Sequence, residues 1–282
     1  MPFKLGYNTN GFAHHRLADA IEVLAEIGYT AVAITLDHDA LDPFSMNLRE
    51  DTNHIRRLLQ AQGMSCVIET GARFLLDPRR KHWPTLVSAN EEERRRRFDF
   101  LCRAMEIAAR LEAEAVSFWS GRRDAALPAD AAWSILTDTC GALLARADRL
   151  DHRLAFEPEP GMFVQTLAQY RRLADELDHR CFGLTLDVGH VHCLQDGPPA
   201  GRIMEFATDL LNVHIEDMKA GTHEHLMFGE GEMDFDPVFH AIEASGYTGS
   251  VNVELSGHSR DAVNAAKQAF DCLSRFVVSK AR

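Results

Sequence analysis

The chain of 282 residues is 46% hydrophobic and 26% charged, which is enough apolar material for a sizeable core and excludes a disordered chain. Its formal net charge of -12 argues against a nucleic-acid partner, because binding along phosphates draws its affinity from Lys and Arg. Six cysteines without a CxxC pair exclude a thiolate zinc knuckle and a redox motif, and read as small core residues in a reducing compartment. The opening MPFKLGYNTNGF lacks a long apolar segment, and no later run approaches the roughly 18 apolar residues of a membrane span. A cytoplasmic location with no membrane partner is the expectation.

In chain order, the strand-like runs are KLGYN (4–8), AVAITL (31–36), SCVIET (65–70), AVSFW (115–119), RLAFE (153–157), FGLTLD (182–187), LNVHIE (211–216) and SVNVEL (250–255). Longer amphipathic stretches separate them. Eight such βα units predict an α/β fold, a single (β/α)8 TIM barrel spanning residues 1–282 as one domain. After EEERRRR, Phe98, Leu101, Cys102, Met105 and Ala109 recur at helical spacing, so the Arg run is expected to be a solvated helix face. Two connections are long, Gly71 to Asn90 and Lys219 to Asp236. Both follow strands, which places them at the C-terminal face, where active sites of such barrels lie.

Polar groups gather at the ends of the last four runs: Glu157, Asp187, His214 and Glu254. Alternation along a strand turns Glu157 inward with Ala155, Asp187 with Thr185, His214 with Asn212 and Glu216, and Glu254 with Asn252. The outward neighbours are mainly Val, Ile, Leu and Phe. Three carboxylates held together repel unless a cation balances them, and three oxygens with one nitrogen suit one divalent metal: Mn, Co, Mg or Zn. A second group follows: His190, three residues past Asp187, with His223 and His225 in THEHLMFGEGEMDF. These three are candidates for a second Zn or for contacts to substrate oxygens. GEG at 229–231 is not a nucleotide loop, and no GxGxxG, GxxxxGK[ST] or GxSxG occurs. A helix is expected to start near Asp236-Pro237, with Asp236 as its cap.

FEPEPG at Glu157, LDVGHVH at 186–192, NVHIEDM around His214, HLMFGEGEMDF at 225–235 and GYTGSVNVEL ending at Leu255 together resemble the sugar phosphate isomerase/epimerase family. These are xylose isomerase-like TIM barrels that also include endonuclease IV-type enzymes. The resemblance covers nearly the whole chain. It implies that Glu157, Asp187, His214 and Glu254 bind one divalent metal, and that Glu157 and Glu254 exchange a proton with the substrate carbon. It departs from the endonuclease-type pattern at Thr70 and Trp119, where those enzymes carry metal-binding histidines, and at His223, where they carry an aspartate. Both departures point away from a trinuclear site. Ketose epimerases of the family commonly carry an arginine after the strand-seven histidine; here Lys219 or His223 stands in its region. Glu159 shares the parity of Glu157 and is a candidate for base, supporting partner or cap. Arg73, Arg79, Arg80, Lys81 and Trp83 are candidate lid residues, and Trp119 lies beside the expected substrate position.

The expected function is a divalent-metal-dependent isomerase or epimerase of a sugar, sugar phosphate or cyclitol, working through a metal-stabilised enediolate. The alternatives are a metal-dependent dehydratase or lyase of a keto-sugar or keto-inositol, and an endonuclease IV-type phosphoesterase. The partner is a small carbohydrate or cyclitol, and the sequence leaves a homo-oligomer open.

Overall fold

The computed structural model describes residues 3–278. Seven short strands follow one another: β1 (Lys4–Asn8), β2 (Ala31–Thr35), β3 (Ser65–Glu69), β4 (Val116–Phe118), β5 (Leu154–Phe156), β6 (Phe182–Asp187) and β7 (Leu210–Ile215). After β7 the chain folds into a hairpin, β8 (Asp217–Lys219) and β9 (Thr222–Leu226), and then returns as β10 (Ser250–Val253). All but the hairpin form a closed parallel barrel in the order β1-β10-β7-β6-β5-β4-β3-β2. Parallel strands are covered on both faces, which is why each reads as an apolar run with a few inward polar residues.

The helices are α1 (Leu17–Ile27), α2 (Leu48–Gln62), α3 (Glu91–Leu111), α4 (Ala129–Arg149), α5 (Leu167–Leu177), α6 (Val188–Cys193), α7 (Pro199–Glu205), α8 (Phe235–Ala244) and α9 (Ala262–Val278). Their caps are local chemistry: Asn90 accepts from the amides of Glu92 and Glu93, and Thr166 with Gln169 forms a reciprocal capping box. Between strands and helices lies an apolar shell, with Phe118, Phe156, Phe182 and Tyr170 in successive ring contacts of 5.2–6.0 Å. Among the described residues no helix is long and apolar enough to cross a membrane. All six cysteines are free.

Three local expectations change. The Lys219–Asp236 connection is built as the β8–β9 hairpin, pinned by Asp217, whose carboxylate accepts from the amides of Gly229, Gly231 and Met233. The cap of α8 is Asp234, accepting from the Asp236 amide, and Pro237 still falls in the first turn. The buried face of α3 runs through Arg97, Phe100, Leu101, Ala104, Met105, Ala108 and Leu111, so Ala109 faces solvent and the Arg run is not wholly solvated. Burial of Arg97 is tolerated because three backbone carbonyls, of Pro84, Thr70 and His82, accept from its guanidinium at 2.8–3.0 Å.

Candidate active site

The barrel ends bring Glu157, Asp187, His214 and Glu254 together, with one donor atom from each within 4.8 Å of the others. Backbone pairing continues past the strand ends, since the Glu157 amide donates to Phe118 O and the Glu254 amide to Ile215 O. The two side chains are therefore held by the ladder itself. Below them an inward polar layer locks the floor: Thr185 bonds Ser117 at 2.9 Å, and Asn252 donates to the Asn212 carbonyl at 2.9 Å. Gly6 leaves room for this layer, because a Cβ there would lie 2.0 Å from Asn252 Oδ1.

His214 divides its two nitrogens. Nδ1 faces Glu254 at 2.9 Å and Glu157 at 3.1 Å, while Nε2 lies 2.9 Å from Glu69, a buried carboxylate at the end of β3. A proton on Nε2 donated to Glu69 leaves Nδ1 as the nitrogen turned toward the three carboxylates, the usual arrangement of a metal-binding histidine. Asp187 accepts the His190 amide with Oδ1, while its buried Oδ2 has no hydrogen-bond partner. An orphaned buried carboxylate oxygen, two more carboxylates and an oriented imidazole fit a hard or borderline divalent cation.

Electrostatics separate the two glutamates. Burial pushes Glu157 well above the ordinary carboxylate range, further than His214 pulls it down. Burial also raises Glu254, but the charge and hydrogen bond of His214 outweigh it and hold this carboxyl far below its usual value. His214 is itself raised: burial opposes its charge, and Glu69, Glu157 and Glu254 overcome that. Glu159 rises to about 7 through burial and the nearby Glu254.

These groups line a cavity of about 330 Å³. Its wall includes Asn8, Asn10, Glu159, Trp119, His190 and His82. A family model described as "Xylose isomerase-like TIM barrel" matches residues 21–276. The chain belongs to that family. Among curated relatives, the L-ribulose-5-phosphate 3-epimerase UlaE of Salmonella typhi is 28% identical over 109 residues, 39% of this chain and 38% of that one. The inosose dehydratase of Lacticaseibacillus casei is 27% identical over 142 residues, 44% of this chain and 47% of that one. The matched stretch thus spans under half the length of each. A crystal structure of IOLI protein with a bound zinc atom superposes with a TM-score of 0.77 at 19% identity, covering 99% of both chains.

On this xylose isomerase-like barrel the other sequence-predicted residues divide. His190, His223 and His225 are brought together, with donor atoms within 4.8 Å, because His223 and His225 sit two apart on β9 and so share a face. Arg73 reaches the cavity while paired to Asp37 at 2.8 Å, and Lys81 also lines it. Lys219 stands exposed on the hairpin, outside the cavity wall. Trp83 turns away, its indole donating to Glu93 at 2.8 Å, and Arg80 pairs with Asp77 and Glu93. Arg79 is exposed.

Four residues of the site escape the sequence reading: Glu69, Asn8, Asn10 and His82. Asn10 donates to Glu254 Oε1 at 2.7 Å, and Asn8 accepts from Thr35 at 2.7 Å. His82 donates Nδ1–H to Gly71 O at 2.7 Å and meets Trp119 edge-on at 5.7 Å. Burial and the cations Lys81, Arg97 and Arg73 lower its pKa to about 4 despite the bond to Gly71. The inward alternation that singles out Glu157 also applies to SCVIET, where it marks Glu69. The asparagines follow β1 or end it, and an isolated amide carries no comparable sequence signal.

Proposed function

We propose that this protein is a divalent-metal-dependent isomerase or epimerase that moves a proton at a carbon next to the carbonyl of a sugar, sugar phosphate or cyclitol. The observation that carries this reading is the pair Glu157 and Glu254, set 3.1 and 2.9 Å from one imidazole nitrogen of His214 and within reach of the same cation as Asp187. Two carboxylates held at one cation site can serve as base and acid on a single substrate carbon.

Glu157, Asp187, His214 and Glu254 would hold the cation. When bound, it would supply polarisation of the substrate carbonyl and its neighbouring hydroxyl, lowering the cost of removing the proton between them. Glu254, aligned by Asn10, receives that proton, and Glu157 returns one from the other side. Glu69 fixes the His214 ring, and Trp119 and His82 wall off water. His190 and His223, on the cavity wall, take substrate hydroxyls. Relatives named as a sugar-phosphate epimerase and an inosose dehydratase support a small polyhydroxylated keto substrate. Six free cysteines support a reducing, cytoplasmic setting.

The test is proton exchange in D2O. Candidate ketoses, their phosphates and keto-cyclitols are incubated with protein loaded with Mn²⁺, Co²⁺, Mg²⁺ or Zn²⁺, and deuterium next to the carbonyl is read by NMR. Exchange that stops on chelation and on Glu254→Gln is expected; exchange that survives both overturns the mechanism. A product lighter by water would move the assignment to a dehydratase.

A further inference from the structure

Glu216 follows the last residue of β7, has no exposed surface, and neither of its carboxylate oxygens has a hydrogen-bond partner among the described residues. No step of the proton transfer above uses it. Burying a carboxylate costs several kcal/mol unless something compensates its charge. Two neighbours share its condition and face it. The buried Oδ2 of Asp187 is unpartnered, Nδ1 of His225 is unpartnered, and one donor atom each from Asp187, Glu216 and His225 lies within 4.8 Å of the other two. The fold makes room for this carboxylate: a Cβ on Gly189, in the first turn of α6, would fall 1.9 Å from Glu216 Oε1.

We infer that Asp187, Glu216 and His225 form a second divalent-cation site, joined to the first through Asp187. This rests on the reading above in so far as the two sites share that aspartate. His225 Nδ1 lies 3.9 Å from Glu216 Oε2, too far for a hydrogen bond. It is near the roughly 3.4 Å that separates an oxygen and a nitrogen donor around a four-coordinate zinc. Two oxygens and one nitrogen leave a fourth position open toward the cavity that His190, His223 and His225 line, so a bound substrate oxygen can reach it. The three histidines alone make a poorer cage. Nε2 of His190 and Nε2 of His223 are 3.0 Å apart and satisfy each other, and His190 Nε2 also lies 3.5 Å from Asp187 Oδ2. The cation thus belongs to the carboxylate side of the cluster, where two buried carboxylates face a single imidazole.

Equilibrium dialysis of the full chain against Zn²⁺, read by elemental analysis, tests this. Wild-type protein is expected to bind two equivalents, Glu216→Gln one, and His223→Ala still two. One equivalent in the wild type, lost on Glu254→Gln, overturns the second site while leaving the first intact. Two equivalents retained in Glu216→Gln but not in His223→Ala also overturn it, assigning the ion to the histidines. Absence of any uptake by the wild type overturns the metal reading as a whole. Should circular dichroism show Glu216→Gln unfolded, Glu216→Asp replaces it. The shortened carboxylate is then expected to weaken the second equivalent at least tenfold with the first unchanged, and unaltered affinity for both overturns the assignment.

Discussion

A buried imidazole that must offer one nitrogen to a cation needs the other nitrogen held, and Glu69 does this for His214 at 2.9 Å. Glu69→Gln removes the anion while keeping the shape, so divalent-metal affinity should fall about 10–100-fold with the fold intact; competition calorimetry reads the affinity and circular dichroism the fold. His82 gives a second prediction, through linkage. Burial holds its pKa at about 4 in the folded chain, below the ordinary imidazole value of 6.5, so between these values the unfolded chain binds more protons. Stability therefore rises with pH across that window, and is lost as pH falls from about 6.5 toward 4. His82 should cost about 2 kcal/mol between pH 7 and pH 4.5. His82→Asn, which keeps a donor for Gly71 O, should flatten the urea-unfolding free energy by that amount, and an unchanged slope would clear His82 of the role. The contrast with sequence reading is physical. Strand-end carboxylates such as Glu157 announce themselves against an apolar run, whereas His82 sits in RRKHW, where neighbouring charge makes it look like surface.

At the scale of elements, the connection from 71 to 90 shows how a loop with no regular structure is held over a site. Arg97 reaches from α3 to the carbonyls of Thr70, His82 and Pro84 and lays its guanidinium 4.8 Å from the centre of the Trp119 ring. Patterning by apolar period could not place it, since a fully buried Arg interrupts the stripe that Phe100, Met105 and Ala108 define. Strand positions, by contrast, were legible to within a residue or two, because burial on both faces writes a continuous apolar run. The hairpin β8–β9 was not, its residues THEHL being polar and partly exposed. Arg97→Leu leaves three carbonyls without their donor, at a cost of about 1–3 kcal/mol for each that water cannot reach. Faster amide exchange and proteolytic cleavage confined to residues 71–90 are expected. A uniform loss of protection across the barrel would instead make Arg97 a general core residue.

For the whole molecule, the consequence lies in where the four candidate ligands come from. Glu157, Asp187, His214 and Glu254 belong to β5, β6, β7 and β10 or the residues just after them, which are consecutive staves in the barrel order. Without a cation, three carboxylates are pressed together at one rim, and their mutual repulsion works against closing that half of the barrel. A cation held by all four turns the same rim into a clasp, and because the unfolded chain cannot present the set together, binding energy becomes folding energy. At a free metal concentration 100 times the dissociation constant the gain is about 2.7 kcal/mol. For a chain of this size that corresponds to a rise in Tm of roughly 5 °C. Calorimetric scans with Mn²⁺ or Zn²⁺ and with chelator should differ by this amount in the wild type. The difference should shrink in His214→Ala, which removes the nitrogen donor of this site, and largely vanish when Glu216→Gln is added to it. A metal-dependent shift as large in His214→Ala as in the wild type would place the stabilising ion elsewhere and separate the rim chemistry from the stability of the barrel.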